Sequence, residues 1–567
     1  MKGIQFDNAA QRKSYVGAVY EVGADALKQR ALRDLPDALA SLHRDGKLHI
    51  HDLEAHGQTY NCLQMDVLRR FPYARFARWS EPRKIAEVFE YFKDVIAKLG
   101  NEQSGGIGFP NFDEEVETLF DRLAITPNDA NLGALSDSIE SFIDWLNYAR
   151  ERCGQVTYYV SLNLGLATGP VARFCTREVL RYFRDAGTEI IKPNLIFKLK
   201  RGVNFLPTDP NHDLFCLALE STCRKMIPTY LLFDAAGNAN LDPRTIGIVG
   251  CRTRVVADRF GDEGSIGRGN LAYVTVNLPR LALEVDAAHR GVSVAEKLAA
   301  FARGWEATAA ACRDILLDRY NRLLGLEAGD FPANCQFGLW LEDFASGSTL
   351  EHVFRHGTLS IGFIGLSEAT EILTGEKFHR STEAHGVAVD IVRTLRATLN
   401  RYRADHQLNF TLLATSGEWV SGRFPAIDKA IFRHPALEKD FYTNSFHVEV
   451  DAELHPFEKL RLEGPFHPLA NGGGITYVEL ASAPVGNAAA ILDIIRAAVE
   501  HDVNYLGVNF PLDQCRACGA QGTFDSCSRC GGRDIHRIRR VSGYLEDLGF
   551  FTRGKTAEVA RRHPSKT

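Results

Sequence analysis

The stretch DQCRACGAQGTFDSCSRCGGRDIHRIRRVSGYLEDLGFF, residues 513–551, holds two features that seldom sit together. Cys515 and Cys518 form one C-x2-C pair, and Cys527 and Cys530 form another. Each pair brings two thiolates to one side of a tight turn. Two such turns supply four soft ligands in a tetrahedron, the arrangement Zn²⁺ prefers. Gly519, Gly531 and Gly532 follow the pairs, where a knuckle needs permissive backbone. Four cysteines leave no open coordination position, so the expected metal is structural; an iron site or a redox pair is the other option. Just beyond lies RVSGYL, centred on Gly543. Alone, such a glycine reads as a turn residue needing positive φ. It also admits a chemical reading. Glycine has no Cβ, so an unpaired electron on its Cα can flatten and delocalise over both flanking amides.

Working outward, the composition changes near residue 510. Upstream, residues 10–45 and 80–150 carry helical spacing, and PNDANLGALSDSIESFIDWL joins a start signal to an apolar stripe. Short strand-like runs then alternate with helices: VTYYVSLNLGL, LIFKL, YVTVNL, TLSIGFIGL, LNFTLLAT and ITYVEL. Several are apolar at nearly every position, as in strands covered on both faces. The pattern predicts one large α/β body around a buried sheet or barrel. GRGN (267–270) and NGGG (471–474) read as turns.

The bulk properties agree with this. The chain has 567 residues, 45% hydrophobic and 24% charged, with net charge −5 from 66 basic and 71 acidic groups. Such a chain buries a large core without disulfide staples, and its balance argues against a protein that coats nucleic acid. MKGIQFDNAAQRKSYVG has no apolar signal region, and no run approaches a membrane span. A cytoplasmic protein with no membrane role is expected. Eight further cysteines (62, 153, 175, 216, 223, 251, 312, 335) lack framework spacing, which suggests thiols and ligands in place of a disulfide scaffold.

The string 513–558 closely resembles the C-terminus of the class III, anaerobic ribonucleoside-triphosphate reductases. In that family a zinc knuckle precedes an RV(C/T)GYL glycyl-radical loop; here Ser542 stands at the Cys/Thr position. The resemblance runs along nearly the whole chain. KLHIHDLEAHGQTYNC (47–62), KRGVNFLPTDPNHDL (200–214), PTYLLFD (228–234), GCRTRV (250–255) and GRGNLAYVTVNLPRLALE (267–284) resemble successive family blocks. So do TLSIGFIGLSEA (358–369), SGRF (421–424), YTNSFHV (442–448) and NGGGITYVEL (471–480).

This resemblance implies a fold, an activity and residue roles. The fold would be a ten-stranded glycyl-radical-enzyme barrel of two five-stranded halves surrounded by helices, with a small C-terminal zinc knuckle. Its parts would be a catalytic body at 1–509, the knuckle at 510–535, and the radical loop and tail at 536–567. The activity would be reduction of ribonucleoside triphosphates to deoxyribonucleotides for DNA synthesis and repair. Gly543 would store the radical, Cys251 would become a transient thiyl, and Cys62 would act on the opposite face of the substrate. Asn270 stands where formate-using members place an asparagine. Cys335 is a candidate third redox thiol, and Glu418 a candidate acid–base or orienting carboxylate, although Ser416, Gly417 and Trp419 depart from the family's ATPAEG.

The resemblance also implies partners. A separate activase with a [4Fe–4S] cluster and S-adenosylmethionine would install the radical, because this chain lacks the CxxxCxxC motif of such proteins. Formate or a thioredoxin- or glutaredoxin-like protein would be the reductant, dNTP or ATP would act at a specificity site, and the enzyme would be a homodimer. No N-terminal ATP-cone is expected.

Each residue has a plainer reading. Cys251, Cys62 and Cys335 could be core thiols, Asn270 a strand cap and Glu418 a solvated turn residue. His49 and His51 look like a metal pair, but with no carboxylate in view they read as structural. Two rival functions stand beside the main one: another glycyl-radical enzyme, such as a dehydratase or lyase, and a zinc-ribbon protein that binds nucleic acid through its basic tail.

Overall fold

The computed structural model describes residue 7 and residues 14–151, 156–344 and 349–565; Cys153 lies outside them. The helices expected early in the chain run over Tyr15–Asp34, Asp37–Arg44, Glu81–Leu99 and Asp129–Tyr148. The last begins where its sequence signals, with the Asn128 side chain accepting from Asn131 N–H. The helix at 81–99 turns Ile85, Phe89, Phe92 and Ile96 inward, the spacing of one buried face.

The strands follow in chain order. β1 is Leu48–Ile50, β2 Leu63–Gln64 and β3 Ile107–Phe109. β4 (Arg150–Glu151) and β5 (Val156–Thr157) form a small separate pair. β6 is Val160–Leu164, β7 Asn194–Leu199 and β8 Thr229–Leu232. β9 (Ile248–Val249) and β10 (Thr253–Arg254) make a short hairpin. β11 is Asn270–Asn277, β12 Thr358–Ile364, β13 Asn409–Ala414, β14 Thr476–Glu479 and β15 Tyr505–Asn509. β16 (Leu512–Cys515), β17 (Gln521–Gly522), β18 (Ile535–Arg540) and β19 (Leu545–Asp547) close the chain. All six apolar runs picked out in the sequence contain strands. β12 and β13 are buried at every position, which explains why their sequences do not alternate.

Two large sheets organise the body. One has the order β14-β15-β8-β7-β6-β3-β2, the other β1-β11-β12-β13. β2, β3, β6, β7 and β8 run parallel to one another. β11, β12 and β13 are also mutually parallel, as are β14 and β15. β15 meets β8 antiparallel. Single bridges tie the sheets at both margins: Leu413 to Gly473 in parallel sense, and Gln64 to Arg268 in antiparallel sense. The hairpin β9–β10 stands apart from both sheets, with residues 250–252 at its tip.

The C-terminal segment forms a sheet of its own, β17-β16-β18-β19. It unites the cysteine pairs with the glycine loop: β16 ends at Cys515, β18 pairs with β16, and Arg540 of β18 pairs with Leu545 of β19. Residues 541–544 are the turn between β18 and β19. Beyond it, the helix Arg553–Ala560 packs on the helix Val420–Ile431, with Gly554 directly against Gly422. The chain then returns to the body through His563 N–H to Val450 O (2.8 Å) and Ser565 N–H to Glu479 O (2.7 Å).

Candidate active site

Cys251 sits at the tip of the β9–β10 hairpin. Gly250 beside it takes φ +63°, the left-handed conformation a short hairpin loop requires. The opposing turn brings Gly543 onto it. A Cβ at position 543 would lie 2.3 Å from Cys251 O and 2.5 Å from Cys251 Cα. The two α-carbons therefore approach to roughly 4 Å or less. Gly543 lies in the turn but is not among the positive-φ glycines: closeness, not backbone conformation, excludes a side chain here. The turn is held by Arg252 donating to Ser542 O (2.6 Å) and Arg540 donating to Gly543 O (3.2 Å).

Glu418 is buried at the centre of this contact. Its carboxylate accepts from Ser542 Oγ (2.6 Å) and Tyr544 OH (2.9 Å), the two residues flanking Gly543. Cys251 Sγ lies 3.8 Å from the same carboxylate and 3.4 Å from Ser542 Oγ. Lys192 Nζ stands 3.9 Å over the Tyr544 ring. Burial pushes the Cys251 thiol up to about 12, Glu418's charge adds to this, and the Ser542 hydroxyl opposes it. The thiol stays an S–H at neutral pH, the form that can exchange a hydrogen atom and the wrong form for a nucleophile.

Cys251 and Cys62 line one pocket, together with Asn61, Asn270, Tyr273 and Tyr544. Cys62 donates to Asn61 Oδ1 (2.8 Å) and accepts from Gly106 N–H (3.1 Å). Its sulfur is 3.9 Å from where a Gly250 Cβ would stand, so the two cysteines face the same space. Asn270 opens β11. Its carbonyl accepts from the backbone of Asn61 and Cys62, its Nδ2 donates to Ser360 Oγ (2.6 Å), and its Oδ1 is buried without a hydrogen-bond partner.

Cys335 is placed elsewhere. It lies on the helix Pro332–Phe337, its thiol donates to Ala328 O (3.2 Å), and it does not line the pocket. The glycine clusters read as turns are turns, with Gly267 at φ +67° and Gly473 at φ +127°, and they are contact points as well. Gly269 of GRGN presses on Cys62, where a Cβ would lie 1.7 Å from its carbonyl oxygen. Gly473 of NGGG presses on Arg252. Sequence reading passed over Asn61, Lys192, Arg252 and Tyr544; the first, third and fourth adjoin residues it had chosen.

The four cysteines of the knuckle offer sulfurs within 4.8 Å of one another. Cys515 and Cys530 sulfurs are 3.6 Å apart, and Cys518 and Cys527 sulfurs 3.5 Å. A tetrahedral zinc with 2.3 Å bonds sets these edges near ~3.8 Å. The donor set and spacing fit Zn²⁺ with no rearrangement of the turns.

The family described as anaerobic ribonucleoside-triphosphate reductase matches residues 7–564. The chain is 28% identical over 573 residues to the anaerobic ribonucleoside-triphosphate reductase of Escherichia coli (strain K12), covering 93% of this chain and 78% of that one. It is 28% identical over 587 residues to that of Enterobacteria phage T4, covering 94% and 92%. In structure it resembles the anaerobic ribonucleotide reductase from Thermotoga maritima in complex with dATP and CTP, with a TM-score of 0.70 at 15% identity over 95% of this chain and 90% of that one. A glycyl radical enzyme from Archaeoglobus fulgidus is similar at a TM-score of 0.55 and 12% identity, covering 97% and 84%. Neither rival function is favoured by these matches. The chain belongs to the anaerobic ribonucleoside-triphosphate reductase family.

Proposed function

We propose that the reduction of ribonucleoside triphosphates to 2′-deoxyribonucleoside triphosphates, which is this chain's activity, runs through a radical stored on Gly543 and passed to Cys251. The observation that carries this reading is the contact of Gly543 with the backbone of Cys251, beside a thiol held protonated. Such a pair can hand a hydrogen atom across without water intervening. The Cys251 thiyl takes the 3′-hydrogen of the ribose. The 2′-hydroxyl then leaves as water, taking a proton. Two electrons from the reductant and a proton, delivered through Cys62, complete the 2′ position. Cys251 returns hydrogen to C3′, becomes a thiyl again, and recovers its hydrogen from Gly543. Glu418 aligns the residues flanking the glycine, and Asn61 orients the Cys62 thiol.

The reductant is formate or a thioredoxin-like dithiol. Formate is favoured because the pocket presents Cys62 without Cys335. A separate [4Fe–4S]/S-adenosylmethionine activase installs the radical, dNTP or ATP acts at a specificity site, and the enzyme works as a cytoplasmic homodimer. Among the described residues no helix is long and apolar enough to cross a membrane.

The two large sheets, β1 apart, are read as one ten-stranded barrel of two five-stranded halves, β2-β3-β6-β7-β8 and β11-β12-β13-β14-β15; the opposite strand senses and the two margin bridges support this. Residues 1–509 form its catalytic body. The zinc knuckle at 510–535 is a rigid base for the loop and tail at 536–567. Anaerobic activation followed by electron paramagnetic resonance and CTP turnover tests the roles. Cys251→Ser is expected to keep the organic radical signal and lose turnover, whereas Gly543→Ala loses both. Turnover by Gly543→Ala would end the proposal.

A further inference from the structure

His49 lies on β1 and His51 just past its end, with their ring centroids 4.5 Å apart. The carboxylate beside them comes from far upstream, from Asp7. Asp7 Oδ1 lies 2.6 Å from His49 Nε2, and Asp7 Oδ2 lies 3.6 Å from His51 Nδ1. One ligand atom from each residue falls within 4.8 Å of the others. The histidines are 5% and 4% exposed.

We propose that Asp7, His49 and His51 form a second metal site, for a first-row divalent ion such as Zn²⁺, Fe²⁺ or Mn²⁺. Two imidazoles and one carboxylate suit these ions and not Ca²⁺ or Mg²⁺, which take oxygen ligands. Bonds of about 2.1 Å set neighbouring donors roughly 3 to 3.4 Å apart. The His51–Asp7 spacing is close to this, and the His49–Asp7 spacing needs a small opening. His51 Nδ1 is buried without a hydrogen bond, while His51 Nε2 is engaged by Thr275 Oγ1 at 2.8 Å. That is the outer partner a metal-bound imidazole uses to fix its ring. Arg319 and Arg423 reach this region but donate to the backbone carbonyls of His51 and His43, not to the Asp7 carboxylate.

The site adjoins the pocket by a short chain of contacts. Asp7 Oδ2 accepts from Asp52 N–H (2.8 Å), and Asp52 Oδ2 accepts from Asn61 Nδ2 (2.7 Å). Asn61 in turn takes the Cys62 thiol. Asp52 holds φ 49°, in the left-handed region that aspartate tolerates better than most residues. An ion at the triad stiffens the wall behind Cys62.

Cobalt titration of the metal-depleted full-length protein, under argon, tests this. Wild type is expected to bind two Co²⁺ per chain. One gives the thiolate-to-cobalt charge-transfer bands of the four-cysteine site; the other gives only weak d–d bands. Asp7→Asn and His49→Gln should each lose the second ion and keep the charge-transfer bands, which also report that the variant is folded. Saturation of wild type at one Co²⁺, all of it on thiolates, would reduce the triad to a metal-free hydrogen-bonded group. Two ions in both variants would equally overturn the assignment.

Discussion

Glu418 accepts from Ser542 and Tyr544, and its charge is one of the two causes that raise the Cys251 thiol. Glu418→Gln removes the charge and keeps an acceptor oxygen. The thiol pKa then moves down from about 12, because the raising charge is gone while burial stays. Alkylation of Cys251 should therefore begin at lower pH in the variant, measured by the pH dependence of iodoacetamide labelling. Loosening of the turn should also lower turnover, on the order of a hundredfold if the glycine shifts by about 1 Å. An unchanged labelling profile would remove Glu418 from the site. The sequence offered Glu418 only as one of two readings, because its partners lie in GCRTRV and RVSGYL, far away along the chain. The family blocks singled out Cys251, Cys62 and Gly543, which the fold brings close together. The packing roles of Gly269, Gly473 and Gly543 were not, since a glycine needed for close approach looks the same in sequence as one needed for a turn.

At the scale of elements, the cysteine pairs and the glycine loop share one sheet, with β16 ending at Cys515 and β18–β19 ending in the loop. Loss of the metal should release the β16 end and misplace the turn. Cys518→Ser is expected to lose the thiolate-bound zinc and to lower the activated radical yield on the order of a hundredfold, read by metal analysis and spin counting. A second contact holds the tail. A side chain on Gly554 would lie 2.6 Å from Gly422 Cα and N, so Gly554→Val should destabilise the docking of that helix by about 1–3 kcal/mol. Limited proteolysis after residue 545 checks this. The strands of the body were readable as apolar runs because they are buried on both faces. The β9–β10 hairpin was not, since two-residue strands leave no periodicity to detect.

For the molecule as a whole, the pocket gathers two thiols from segments about 190 residues apart in sequence and leaves Cys335 on a separate helix. Cys335→Ser should therefore turn over CTP like wild type with formate as reductant. A large loss confined to a thioredoxin-like donor would instead give Cys335 a redox role. Strand order and the bridges at the sheet margins depend on contacts between distant segments. Local sequence carries no record of them. The tail that follows Gly543 is fastened independently at several points: β19 on β18, Lys192 to Glu546 (3.7 Å), Gly554 on Gly422, and Ser565 on Glu479. If oxygen severs the activated backbone at Gly543, the damaged enzyme is a nicked but intact particle. It should elute at its original size in native gel filtration, and the missing covalent bond should appear only when the two pieces part in denaturing mass spectrometry.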